Sequence, residues 1–455
     1  MKGMLFIYGL LAICCIIGLA RPHVALIGYY GFAVLIPEWN WRWALPPNPG
    51  FQKYLVASCL LGFLFNGLRG NRLRGGPLAA CLCFGLYLGL SYVSAASSIS
   101  PSNSQWFMSF MWKIVLMAAM AVLLLDSPRK ISAILWILVL AQGYNAFRIN
   151  EQYFETGICW AAYTGWAFMD NNIYCMATMP MIGMSLALAF RSQRIWQRAI
   201  AGGIFLLQMH QIMLMQSRGC MLGAIILAGV FFLLVPKNAY SWAAILGSIF
   251  AATVLAGPSV VKEFSSSFAS AEKRDSSADS RFKLWEAGAK ITADYPVLGV
   301  GPDAGRRIVH KYYPGGLRAR DKALHNTLFE VTACSGVPAA VGYFGFFGIC
   351  WLSVAWFWKR EGKILAPPMS AACLAILCGL PGFLVSAMFS SSLLVESPYA
   401  LAALGCATIL VRKAYEDRHQ SSSHGFPGTV DHIGKSTQFL PRSAEVEITP
   451  EPFRQ

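Results

Sequence analysis

The chain has 455 residues, 56% of them apolar and only 13% Asp, Glu, Lys or Arg, where a soluble domain carries about 25% charged and about 45–50% apolar residues. With a mean hydropathy of +0.50, this excludes an ordinary soluble enzyme, and it excludes a disordered chain, which needs low hydrophobicity and high charge. The formal charge of +15 comes in short clusters between apolar runs and not as one patch, which argues against a nucleic-acid partner.

A spanning helix takes about 20 apolar residues. Taken in chain order, the apolar runs predict helices over 4–20, 24–38, 54–68, 77–97, 107–125, 131–147, 174–190, 199–217, 220–235, 241–258, 334–357, 366–388 and 398–411. The fold class is therefore an all-α polytopic membrane protein with about 12 or 13 spanning helices. The first run, preceded only by Lys2, reads as a spanning helix and not as a cleaved signal. The 13 cysteines lie almost entirely inside these runs without CxxC spacing, as small hydrophobes do. No metal site is predicted.

Lys and Arg mark the loops that stay on the cytoplasmic side. Arg69, Arg72 and Arg74 share one loop, Arg129 and Lys130 a second, and Arg191, Arg194 and Arg198 a third. Lys237 sits in a fourth, and Lys359, Arg360 and Lys363 in a fifth. Threading the chain through the helices puts all five on one face, while the alternate loop 98–106 is uncharged. Residues 1–261 are thus a first set of helices, 262–324 one large periplasmic loop with short amphipathic helices, and 325–411 a second set. The polar tail 412–455 is expected to be cytoplasmic and disordered. The large loop holds twelve Lys or Arg against eight Asp or Glu. A basic surface facing outward over the bilayer suits an anionic partner, such as the phosphate of a lipid carrier.

Three short stretches hold residues suited to chemistry. Arg218, in Gln216-Ser217-Arg218-Gly219 between two apolar runs, is either a snorkelling anchor or a fixed cation for a diphosphate, for which Arg is preferred. Gly219 beside it would let a bulky ligand approach the backbone. In the loop, Asp279 or Ser280 is a plausible N-cap for a helix that places Phe282, Trp285 and Ala289 on one face. That helix ends at the Tyr295–Gly301 turn. Arg281 projects near its start, where the reading from the residues alone is one of many solvated loop cations.

Among seven histidines, His210 reads as a packing residue inside a helix and His310 lacks a recognisable setting. His325 opens His325-Asn326-Thr327-Leu328-Phe329-Glu330, where the loop re-enters the bilayer. The positive end of the following helix favours anions and disfavours imidazolium. A neutral imidazole at an anion site is what a general base needs. The alternative is a capping histidine.

Together, "SRG" at 217–219, "SRFKLWEAGAKITADYPVLGVGPDAG" at 280–305 and "HNTLFEVTACSG" at 325–336 resemble the O-antigen ligase and polymerase family of bacterial inner-membrane proteins, over roughly residues 170–400. "MDNN" at 169–172 is similar to the branch of O-glycosylation ligases that accompanies exosortase systems. The resemblance implies an all-helical fold with a large periplasmic loop. It also implies transfer of a glycan from undecaprenyl diphosphate to an acceptor hydroxyl, without nucleotide sugar, metal or other cofactor. The acceptor would be lipid A-core in lipopolysaccharide synthesis, another repeat unit in a polymerase, or a protein side chain. By resemblance His325 would be the base, and Arg218 and Arg281 would hold the diphosphate. Ser217, Gly219, Trp285, Asn326 and Glu330, the last at a commonly acidic position, are the further candidate substrate-binding residues. The competing class is a lipid-linked glycan transporter or flippase. Transporters commonly place charged groups near mid-membrane, whereas here they gather at one boundary beside one loop.

Overall fold

Proline begins many of the helices, because it lacks the N–H that a first turn leaves unpaired and its φ is already helical. A computed structural model describes residues 2–239, 242, 276–362 and 364–423. Its helices are α1 (Lys2–Ala20), α2 (Pro22–Leu35), α3 (Pro37–Asn40), α4 (Phe51–Phe65), α5 (Gly75–Ala96), α6 (Pro101–Leu124), α7 (Pro128–Thr156), α8 (Trp160–Thr164) and α9 (Asn171–Arg191). They continue as α10 (Ile195–Leu214), α11 (Arg218–Leu234), α12 (Ser276–Asp294), α13 (Gly305–Tyr312), α14 (Thr327–Ser335), α15 (Val337–Glu361), α16 (Pro367–Ala387) and α17 (Ser397–Ser423). The described residues include no β-strand, only one isolated bridge between Trp166 and Met169.

The protein is an all-α polytopic membrane protein. Among the described residues, seven helices are long and apolar enough to cross a membrane, and three shorter apolar ones accompany them: Pro22–Leu35, Phe51–Phe65 and Arg218–Leu234. The helix expected over 241–258 and the start of the polar loop, 262–275, lie outside the described residues. Several boundaries differ from expectation, two of them by more than two turns. α7 runs on to Thr156 through Arg148, Glu151 and Glu155, with Arg148 paired to Glu151 one turn on. α17 continues past 411 to Ser423. The chain divides into two units after Ala414; of the second, only 415–423 are described, and these are helical.

Small residues let α9 and α16 touch. A Cβ on Gly183 would come within 2.7 Å of the Gly379 Cα, the kind of close approach that association in lipid exploits. A buried amide and hydroxyl network joins α7, α9 and α10. Gln142 donates to Thr178 and to Gln211, each at 3.2 Å, and accepts from Tyr174 at 3.3 Å. His210 is part of the same wall, hydrogen-bonded to Asn150, as its packing role predicts.

Contacts between loops sort the two ends of the bundle. At one end, Asn71 bonds Val122 and Leu125, Arg191 lies over the Trp358 ring and Arg412 pairs with Glu361. The short basic loops belong to this end. At the other, Ile99 bonds Val300, Ser104 bonds Pro302 and Thr327 bonds Ser390. Residues 276–336 cover this second end as a cap with a core of its own. Leu284, Ala287 and Ile291 of α12 pack there with Ile308 and Val309 of α13, Leu324 and Ala333.

Candidate active site

The site forms where the cap meets the ends of α9, α10, α11 and α16. Its first wall is the turn between α10 and α11. Gln216 takes a left-handed φ of 55°, which reverses the chain so that Ser217 becomes the N-cap and Arg218 the first residue of α11. Two adjacent asparagines hold that turn. Asn171 donates to the Met215 carbonyl at 2.9 Å, Asn172 donates to Asn171 at 3.0 Å, and Asn172 accepts from the Ser217 hydroxyl at 2.9 Å. Asp170 fixes the pair from below by capping α9 through the Ile173 N–H at 2.8 Å.

Gly219 has a different reason from the one expected. A Cβ there would lie 2.5 Å from the Phe389 Cβ, so the space beside Gly219 is filled by a side chain of this protein. Phe389 in turn packs on Trp285 of α12, ring centres 5.7 Å apart. Phe389 thus links the α11 turn to the cap.

α12 begins at Ser276, about a turn earlier than expected, so Asp279 lies inside its first turn and pairs with Lys283 at 2.8 Å. An acid there suits the positive helix end. The buried stripe runs through Leu284, Ala287 and Ile291 and leaves Ala289 exposed, because the cap core lies on that side. Phe282 and Trp285 stay together, ring centres 5.2 Å apart. The Trp285 indole N–H donates to the His325 carbonyl at 3.3 Å.

His325 itself has a left-handed φ of 52°, which turns the chain into α14. Asn326 is the N-cap, its side-chain oxygen accepting from the N–H groups of Leu328 at 2.9 Å and Phe329 at 3.3 Å. His325 is therefore not the capping residue. Burial holds its imidazole below the ordinary 6.5, Arg281 adds to this, Asp170 opposes it, and Lys322 lowers it further. The charge of Arg281 is also felt at Cys220, in the first turn of α11 two residues beyond Arg218. Arg281 thus stands in electrostatic reach of both the histidine and the start of α11.

Glu330 lies apart from this face. It is 8% exposed, accepts a bond from the Cys334 thiol at 3.4 Å, and has its second carboxyl oxygen buried without a hydrogen-bond partner. Burial pushes it up to about 7, with Asp303 adding and Cys334 and Arg306 opposing. It lies under the cap beside Cys334. His310 lies on α13, also in the cap. No group of three or more His, Cys, Asp or Glu with metal-site geometry occurs among the described residues.

Sequence reasoning singled out Asn171 and Asn172 only as part of the 169–172 stretch, without a structural role, and did not single out Phe389. The asparagines carried a weak signal, two adjacent amides at the mouth of an apolar run. Phe389 carried none, since its value lies in reaching Gly219 and Trp285 across the fold.

The fold is thus a helical membrane bundle with a folded cap over one end, Arg218 lying at the α10–α11 turn and His325 at the turn into α14. Residues 203–344 match the family model described as O-antigen ligase; this stretch contains Arg218, Arg281 and His325, and it bears out the resemblance those motifs carry. The match supports a glycan-transferring activity. Residues 1–150 match a family of unknown function. No curated protein matches the chain.

Proposed function

We propose that this protein transfers a glycan from undecaprenyl diphosphate to an acceptor hydroxyl at the periplasmic face of the bacterial inner membrane. The observation that carries the reading is the place of His325, in the left-handed turn into α14 held by the Trp285 indole at the end of the bundle opposite the short basic loops, where burial and the Arg281 charge lower its imidazole below the ordinary 6.5. The acceptor oxygen attacks the anomeric carbon, and the bond from that carbon to the diphosphate breaks. The leaving diphosphate keeps the electron pair, and the acceptor proton goes to the His325 imidazole. Arg218 and Arg281 offset the charge that grows on the leaving oxygens, where fixed cations lower the barrier most. A single displacement inverts the anomeric configuration.

The test is a reconstituted assay with purified undecaprenyl-diphosphate-linked glycan and a set of acceptors: lipid A-core, a second lipid-linked unit, or a protein. Arg218→Lys keeps the charge but not the planar fork, and is expected to cut transfer sharply at normal protein level. A lipid-linked glycan carrier would instead move its substrate across vesicles and form no new glycosidic bond. Full transfer activity in both Arg218→Lys and Arg218→Ala would make Arg218 a headgroup anchor only.

A further inference from the structure

A second polar pocket lies at the far, basic end of the bundle, where α7, α9, α10 and α16 meet. Ser132, Arg191, Ser192, Gln193 and Gln197 line a cavity of about 130 Å³, and no Asp or Glu is among its lining residues. Arg191 is the last residue of α9. Its guanidinium carbon lies 5.4 Å from the centre of the Trp358 ring, and its Nε is buried without a hydrogen-bond partner. A buried charged donor left without an acceptor is costly, and the cavity supplies donors but no carboxylate to meet it.

Three helix starts also lie at the cavity. Gln197 and Pro368 lie in the first turns of α10 and α16, and Ser132 just past that of α7. The positive ends of α7, α10 and α16 therefore meet there the negative end of α9, whose residues Leu188 and Arg191 also line the cavity. Its volume is close to the ~150 Å³ that admits a benzene ring in a protein interior, enough for one tetrahedral oxyanion.

We propose that this cavity binds a phosphate group, with the Arg191 fork as its principal ligand and the Ser and Gln side chains as supporting donors. The group comes either from the headgroup of an anionic bilayer lipid or from free phosphate. The arrangement matches the planar, bidentate recognition for which Arg is suited. It is independent of the glycan-transfer site, which lies at the opposite end.

The full-length protein in phosphatidylglycerol nanodiscs, analysed by native mass spectrometry after detergent release, is expected to retain phosphatidylglycerol. Arg191→Gln is expected to lower that retention by about tenfold, the loss of one charge-assisted contact. In parallel, inorganic phosphate is titrated into delipidated protein while thermal unfolding is followed. A phosphate-dependent rise in midpoint in the native protein, absent in Arg191→Gln, identifies free phosphate as the source; lipid retention without that rise identifies the headgroup. Gln193→Glu, at an exposed position, places a carboxylate at the cavity and provides a second variant should Arg191→Gln fail to fold. Equal lipid retention and equal phosphate response in the native protein and in every folded variant would overturn the proposal.

Discussion

His325→Asn tests the proposed base most directly. The φ of 52° is a left-handed conformation that Asn tolerates better than most side chains, so Asn keeps the turn where Ala would strain it. The Trp285 bond reaches the backbone carbonyl, and the Asn326 cap is a separate residue; both survive the substitution. Only the imidazole is lost, and a general base contributes roughly 10²–10⁴-fold, or about 2.7–5.4 kcal/mol of barrier. Turnover per folded molecule should fall by that factor while donor binding persists. The pH profile supplies an internal check. Because His325 is held below 6.5, it is neutral at pH 7, and the native rate should fall only as pH drops through that lowered value. Arg281→Gln removes the second cause of the lowering, so the acidic limb should move toward higher pH, whatever the loss in rate. Asp170→Asn keeps the cap on Ile173 but removes the opposing charge, so the limb should move lower. Steady-state rates from pH 5 to 8 on each purified variant measure this. Near-normal turnover in His325→Asn, or a limb that stays in place in both charge variants, would refute the role and leave His310 as the next base to examine.

Two further outcomes follow from the geometry around this residue. Asn172→Leu removes the acceptor for Ser217 and the donor to Asn171, and one buried hydrogen bond is worth roughly 1–3 kcal/mol when broken; kcat should fall about tenfold, with partial rescue in Asn172→Asp, which keeps the Ser217 acceptor, and equal rates in the two variants would remove Asn172 as a positioning residue for Arg218. Glu330, raised from 4.5 to about 7, stays protonated in the folded protein where the unfolded chain releases its proton; folding stability is full below about pH 4.5 and declines by about 3 kcal/mol as pH rises through 7. Thermal unfolding of Glu330→Gln between pH 5 and 8 should lack that decline, and an unchanged pH dependence would mean that the carboxyl is already ionised under the cap.

The helical class, the order of the spans and the three site motifs were legible in the sequence because each rests on local physics. An apolar run long enough for a bilayer must close its own backbone hydrogen bonds, so it is a helix wherever it lies. Pro128 and Pro367 mark helix starts for reasons confined to one turn. Arg218, Arg281 and His325 stood out because cations and an imidazole are conspicuous beside apolar sequence. The roles of their neighbours depended on residues distant in the chain. Gly219 reads locally as space for a ligand, yet Phe389 fills that space. Trp285 reads as part of an apolar helix face with Phe282 and Ala289, and its N–H holds the His325 backbone forty residues away. Glu330 reads as a ligand beside the histidine, yet the cap core buries it next to Cys334. Local sequence set which segments become helices and which carry charge, because those preferences act within a turn or two. Tertiary packing alone decided which side chains face one another across the cap, because that depends on contacts among helices that sequence spacing does not encode.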